Sequence, residues 1–169
     1  MRLGTRPTSR AALPRRPHSS DANVAAKWFL KDETDVDVAD GILAALLADD
    51  LELHVPRVFT YEVCALLAKA CGTRHTTTKT PRLAKDLAIK CVVRLFALPI
   101  QLAEPSVEEG TDSLGMSVDF SQTFKDMTYL RLAERLDCQF CTADTKILKS
   151  NPPAFPTHRV VLLSALTQS

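Results

Sequence analysis

The stretch from residue 125 to residue 144 constrains the fold more than any other part of the chain. Apolar residues recur there at three-residue steps and predict the inward stripe of an α-helix: Met127, Leu130 and Ala133. Asp126 lies beside that stripe, and residues 139–142 predict a short buried strand that ends just before Asp144. Ligands of open α/β sheets bind beyond the carboxyl ends of the strands. We therefore expect Asp126 and Asp144 to face one another at that edge.

The rest of the chain alternates predicted helices with short apolar strands. Predicted helices follow Asp21 and cover residues near 39–47, 62–70, 83–95 and 126–136, and predicted strands cover 53–56, 99–102, 139–142 and 160–163. Leu47 and Leu87 belong to the stripes expected to face inward, and polar composition predicts loops at 72–81 and 104–115. This alternation predicts an α/β domain with a mostly parallel central sheet.

Length and composition indicate an ordinary globular chain. At 169 residues, with 46% apolar and 24% charged residues, it is expected to form one soluble domain. No run approaches the roughly 18 apolar residues of a membrane span, so no membrane partner is expected. The five cysteines are odd in number and no apolar signal segment precedes them, which favours a reducing compartment. We expect a cytoplasmic protein.

Charge is distributed unevenly along the sequence. Residues 1–20 carry five arginines, three prolines and no acid, and they predict a disordered basic tail or a mis-assigned start, with an organellar transit peptide as the less favoured alternative. Residues 21–169 hold 16 basic and 20 acidic residues, a net charge of about −4. An acidic body argues against a broad nucleic-acid-binding face, but it is compatible with a metal-dependent nuclease.

Four carboxylates stand at helix starts, strand ends or inner helix edges: Asp21, Glu62, Asp126 and Asp144. A doubly wound sheet can gather all four at one edge. Such a group repels itself unless a cation is present, and Mg²⁺ and Mn²⁺ prefer oxygen ligands. Taken singly, each residue is more often a helix cap or a solvated side chain.

The set as a whole resembles the PIN-domain ribonucleases and, within them, the VapC toxins of bacterial toxin–antitoxin pairs. The resemblance rests on four stretches in the family's order: residues 21–30 (DANVAAKWFL), 55–56 leading to 61–63, 126–136, and 142–144. It implies a PIN-like three-layer α/β fold over residues 21–169, with helices on both faces of the sheet. It also implies Asp21, Glu62, Asp126 and Asp144 as the catalytic carboxylates, with Thr142 a polar helper.

The resemblance further implies a chemistry and a set of partners. Asp21, Asp126 and Asp144 would bind Mg²⁺ or Mn²⁺, and the protein would be an endoribonuclease that hydrolyses RNA phosphodiester bonds. It would be the toxin of a type II toxin–antitoxin pair, bound by a cognate antitoxin and commonly a homodimer. One departure is that the family has an apolar strand before the first aspartate, where this chain has residues 15–20 (RRPHSS). That strand is therefore expected to be short and irregular, or the start of the chain differs.

Three alternatives remain open at this stage. Asp119, seven residues before Asp126 and expected on the same helical face, is the substitute should Asp126 not be a ligand. A catalytically impaired PIN-like protein that binds RNA or protein would share the fold. A phosphoacceptor signalling module would need an aspartate directly after the middle strand, where the sequence has Ala103 and Glu104.

Other reactive residues have simpler interpretations. Cys138 and Cys141 form a lone C-x-x-C pair, which is expected to pack in the core. His75 in the basic loop could touch RNA phosphates together with Arg74 and Lys79, although a solvated loop is the favoured interpretation.

Overall fold

The computed structural model describes residues 16–72, 80–149 and 151–168. The predicted tail before residue 16 lies outside these ranges. So does most of the basic loop, with Arg74, His75 and Lys79. The predictions for both segments stay predictions.

Helices and strands alternate along the described chain. The helices are α1 (Ala22–Ala26), α2 (Val36–Leu47), α3 (Val58–Ala70), α4 (Lys85–Ala97), α5 (Val107–Asp119) and α6 (Phe124–Arg135). The strands are β1 (Arg16–Ser20), β2 (Leu51–Pro56), β3 (Gln101–Ala103), β4 (Phe140–Thr142) and β5 (Val160–Leu162). Short 3₁₀ turns cover Thr145–Leu148, Thr157–Arg159 and Leu163–Gln168.

The five strands form one parallel sheet flanked by helices, with the order β3-β2-β1-β4-β5. The predicted α/β class with a mostly parallel sheet is confirmed. The chain runs outward from β1 through β2 to β3, then crosses back to β4 on the other side of β1. The carboxyl ends of β1 and β4 are therefore the place where the strand order reverses, which is the usual ligand position in such sheets.

Strand β1 lies in the middle of the sheet although its sequence is polar. The prediction of a disordered tail through residue 20 is wrong for these five residues, because parallel pairing with β2 and with β4 holds them from both sides. Ser19 and Ser20 are small enough to be buried there, whereas Pro17 lies at the exposed end of the strand. Within the described residues, three buried polar atoms of this strand have no hydrogen-bond partner: His18 Nε2, Ser19 Oγ and Ser20 Oγ.

Helix α5 replaces most of the loop predicted for residues 104–115, so that prediction is wrong. Its start is fixed by a capping box, in which the Ser106 hydroxyl accepts from the Glu109 N–H at 3.1 Å and the Glu109 carboxylate accepts from the Ser106 N–H at 2.8 Å. Packing against α6 adds an ion pair between Glu109 and Arg135 at 2.8 Å. Capping and packing together offset the cost of two glycines in the helix, about 1 kcal/mol each.

The buried core follows the predicted stripes with two exceptions. Leu47 and Leu87, both expected to face inward, are exposed. The stripe of α6 is buried as predicted, and so are Cys138 and Cys141, which confirms their packing role; all five cysteines are free. None of the helices in the described ranges combines the length and apolar character needed to cross a membrane.

Candidate active site

Asp21 stands at the end of β1 and caps the start of α1. Its backbone N–H donates to the Cys141 carbonyl at 3.1 Å, which places it beside the end of β4. Its carboxylate accepts from the Val24 N–H at 3.0 Å and from the Thr142 hydroxyl at 2.6 Å. The side chain is buried and held in a single orientation at the switch point of the sheet.

The surroundings of Asp21 raise its pKa above the ordinary value. Burial is the largest cause, and the nearby charge of Asp126 acts in the same direction. Hydrogen bonds from Thr142, Val24 and Asn23 lower the pKa but do not outweigh burial. A buried carboxylate of this kind gains from a cation placed next to it.

Asp144 joins the site through Thr142. The Thr142 hydroxyl donates to Asp21 and accepts from the Asp144 N–H at 3.0 Å, so it lies between the two aspartates. The Asp144 carboxylate accepts from the Lys146 N–H at 2.8 Å and caps the 3₁₀ turn that follows β4. Thr142 thus connects the Asp21 carboxylate to the backbone of Asp144, and its role as a polar helper stays a prediction.

Glu62 reaches the same region from α3, the helix that follows β2. The Tyr129 hydroxyl on α6 donates to Glu62 Oε2 at 2.7 Å. Burial raises the pKa of Tyr129 well above its ordinary value, and the charges of Glu62, Asp21 and Asp126 raise it further. Tyr129 thus stays protonated as a hydrogen-bond donor, and it lies within electrostatic reach of all three carboxylates.

Asp126 lies in the first turn of α6, where a carboxylate favours the helix start. The Thr123 hydroxyl donates to Asp126 Oδ2 at 2.6 Å and accepts from the Asp126 N–H at 3.1 Å. These two bonds hold the Asp126 carboxylate against Thr123, the residue that caps the start of α6.

Lys125 places an ammonium group among the carboxylates. Its Nζ lies 2.9 Å from Glu62 Oε1 and 3.9 Å from Asp126 Oδ1. Partial burial lowers the pKa of Lys125, but the bond to Glu62 and the charges of Glu62, Asp126 and Asp21 outweigh it, so the net shift is upward. Lys125 is therefore positively charged at neutral pH.

Asp119 is not part of this group. It is exposed at the end of α5, whereas Asp126 belongs to α6, so the expectation that they share a helical face is wrong. Ser121 adopts a left-handed conformation with φ of 52° between the two helices and separates them. Asp119 instead borders a surface cleft together with Arg131 and Glu134.

The donor atoms suit a hard divalent cation, but the ligand set is not assembled. Asp21, Glu62, Asp126 and Asp144 offer only carboxylate oxygens, which Mg²⁺ and Mn²⁺ prefer. Within residues 16–72, 80–149 and 151–168, however, no three carboxylate, histidine or cysteine side chains have an arrangement that could hold a metal ion. The residues fit the ion in chemistry and location, and binding would require their side chains to adjust.

Sequence reasoning missed three supporting residues: Thr123, Lys125 and Tyr129. The spacing of Thr123 and Asp126 is that of a helix cap and was readable. Tyr129 follows Asp126 by three residues, about one helical turn, so the two side chains are neighbours on the surface of the helix. No sequence pattern indicated the direction of the Lys125 side chain.

The five-stranded parallel sheet flanked by helices confirms the predicted α/β fold of the PIN-like kind. Among solved structures with this fold is VapC20 of Mycobacterium tuberculosis, described as a sarcin-ricin loop cleaving toxin. The match has a TM-score of 0.55 and 12% sequence identity, and it covers 79% of this chain and 98% of VapC20. No protein-family model and no curated protein sequence matches the chain. The predicted resemblance to VapC toxins is thus confirmed in fold.

Proposed function

We propose that this protein is a metal-dependent endoribonuclease of the VapC type and the toxin of a type II toxin–antitoxin pair. The observation that carries the proposal is the buried Asp21 at the switch point of the sheet. The charges of Asp21, Glu62 and Asp126 all raise the pKa values of the same two neighbours, Lys125 and Tyr129. Gathering like charges costs stability, so it indicates a functional site.

Asp21, Asp126 and Asp144 would hold Mg²⁺ or Mn²⁺, and Glu62 would complete the acidic group. When bound, such an ion supplies activation of water and stabilisation of charge on a phosphate. The chain itself holds three of these carboxylates by hydrogen bonds: Thr142 to Asp21, Tyr129 to Glu62 and Thr123 to Asp126. The side chains would adjust from these positions when the ion binds.

The proposed substrate is RNA, and the proposed partners are a cognate antitoxin and a second copy of the chain. The name of VapC20 describes cleavage of a ribosomal RNA loop by that protein, which supports RNA as the class of substrate. An exposed apolar face on α4, formed by Ile89, Val93 and Phe96, supports binding of a protein partner. Five free cysteines support a cytoplasmic location.

The proposal is tested by incubating purified protein with end-labelled RNA in Mn²⁺, in Mg²⁺ and in EDTA. Endonucleolytic products in the presence of either metal, and none in EDTA, are expected. Equal cleavage in EDTA would contradict the metal dependence, and intact RNA under every condition would contradict the nuclease assignment.

A second candidate is a catalytically impaired PIN-like protein that binds RNA or protein. It is favoured by the unassembled ligand set in the described ranges and by the unpaired buried polar atoms of β1. A Mn²⁺ titration separates the candidates, because an impaired site would bind the ion weakly while the protein still bound RNA.

A further inference from the structure

We propose that Lys125 is a resident cation of the acidic site, and that a divalent ion binds there only by displacing its ammonium group from Glu62 and Asp126. The inference rests on the proposed function and deepens it. Lys125 would thus compete with the metal ion for the site, a role that the sequence pattern did not indicate.

The geometry identifies Lys125 as the movable member of the group. Its side chain is 43% exposed, whereas Glu62 and Asp126 are 16% and 22% exposed. Tyr129 and Thr123 hold the two carboxylates by short hydrogen bonds. The ammonium group can therefore turn toward solvent more freely than either carboxylate can move.

The position of Lys125 along its helix supports a role in the site. It lies in the first turn of α6, where the helix dipole disfavours a positive charge. The carboxylates of Glu62 on α3 and Asp126 on α6 lie beside Lys125 and oppose the unfavourable dipole. Helix stability by itself does not account for a lysine at this position.

Competition follows because the two cations would share the carboxylate of Asp126 and would both lie beside that of Glu62. The ammonium group lies 2.9 Å from Glu62 Oε1, and a divalent ion that used this carboxylate would meet the lysine at close range. Repulsion between two positive charges is strong where the surroundings are partly buried and poorly screened. Removing the lysine charge should therefore tighten metal binding.

The test is isothermal titration of metal-free protein with Mn²⁺, which reports binding without relying on cleavage. The variants are Lys125→Met and a matched control, Lys69→Met, which removes the same charge from the wall of the same cleft. Methionine is a good helix former, and thermal unfolding of each variant checks the fold.

The expected result is about tenfold tighter Mn²⁺ binding by Lys125→Met and a change of at most about twofold for Lys69→Met, since a less direct charge is better screened. Equal or weaker binding by Lys125→Met would overturn the proposal, because the lysine would then support the site. An equal increase in Mn²⁺ affinity in both variants would also overturn the proposal, since it would reflect only the loss of one positive charge from the cleft.

RNA cleavage by the unmodified protein separates this inference from the proposed function. If that protein binds Mn²⁺ and cleaves RNA but Lys125→Met binds no tighter, only the role of Lys125 fails. If no variant binds Mn²⁺ and none cleaves RNA, both fail.

Discussion

The Thr142 hydroxyl donates a hydrogen bond of 2.6 Å to Asp21 and ties the end of β4 to the end of β1 across 121 residues of sequence. Both residues are buried at the point where the strand order reverses. One hydroxyl thus links the sheet topology to the orientation of the central carboxylate.

Removing that hydroxyl should destabilise the protein. Thr142→Val keeps the shape of the side chain but leaves buried Asp21 without its donor, and we expect a loss of about 1–2 kcal/mol in the free energy of unfolding. Thr142→Ser keeps the hydroxyl and should lose less. Urea denaturation of both variants measures the difference, and equal stability of Thr142→Val and the unmodified protein would refute the role of the bond.

Neutralising Asp21 should have the opposite effect on stability. Burial raises the pKa of Asp21 in the folded state, so its ionised form costs stability at pH values above the ordinary value of 3.8. Asp21→Asn removes this cost while keeping a side chain suited to cap a helix. In EDTA, the stability of Asp21→Asn relative to the unmodified protein should therefore rise as the pH increases from about 4 toward neutrality.

Thermal unfolding across that pH range checks the sign of the Asp21 effect. Asp119→Asn serves as the control, because Asp119 is exposed and should show no comparable gain. A relative stability of Asp21→Asn that falls with rising pH would contradict the account.

The polar strand β1 offers a test that does not involve catalysis. Ser19 Oγ is buried without a hydrogen-bond partner in the described part of the chain, so Ser19→Ala should stabilise the protein by about 1 kcal/mol. Ser117→Ala is the matched control, since the Ser117 hydroxyl donates to the Gln122 carbonyl at 2.7 Å and its loss should destabilise. Calorimetry that found Ser19→Ala less stable than the unmodified protein would indicate a partner for this hydroxyl.

The bond between Tyr129 and Glu62 should matter for activity more than for folding. Tyr129→Phe retains the buried ring and its stacking on Phe140 but frees Glu62 Oε2. We expect RNA cleavage to fall by about tenfold, as for other residues that orient a site through a second residue. Tyr61→Phe changes an exposed ring and should cleave at the normal rate. Unaltered cleavage by Tyr129→Phe would show that Glu62 needs no such support.

The sequence predicted the elements whose signals are local and repeated. Helix α6 and strand β4 were found from apolar spacing, because a buried stripe must recur with the period of its element. The family pattern predicted Asp21, Glu62 and Asp126 as site residues, and their role stays a prediction; the structure brings the charges of all three within reach of Lys125 and Tyr129.

The features that the sequence did not predict are those that depend on contacts between distant residues or on the direction of a side chain. The polar residues of strand β1 gave no strand signal of their own, because β1 is held by its neighbours β2 and β4; only the family resemblance predicted a short strand there. Helix α5 was missed because its polar, glycine-containing sequence predicted a loop and the cap at Ser106 was not recognised. The position of the Lys125 ammonium group depends on Glu62, which is 63 residues away in sequence.

The most direct test of the central claim compares two aspartate variants in one cleavage assay. Asp126→Asn and Asp119→Asn remove the same charge, but only Asp126 lies with Asp21 and Glu62. With labelled RNA and Mn²⁺, Asp126→Asn is expected to lose cleavage while remaining folded, and Asp119→Asn is expected to cleave normally. Normal cleavage by Asp126→Asn would contradict the assignment of this acidic group as the active site.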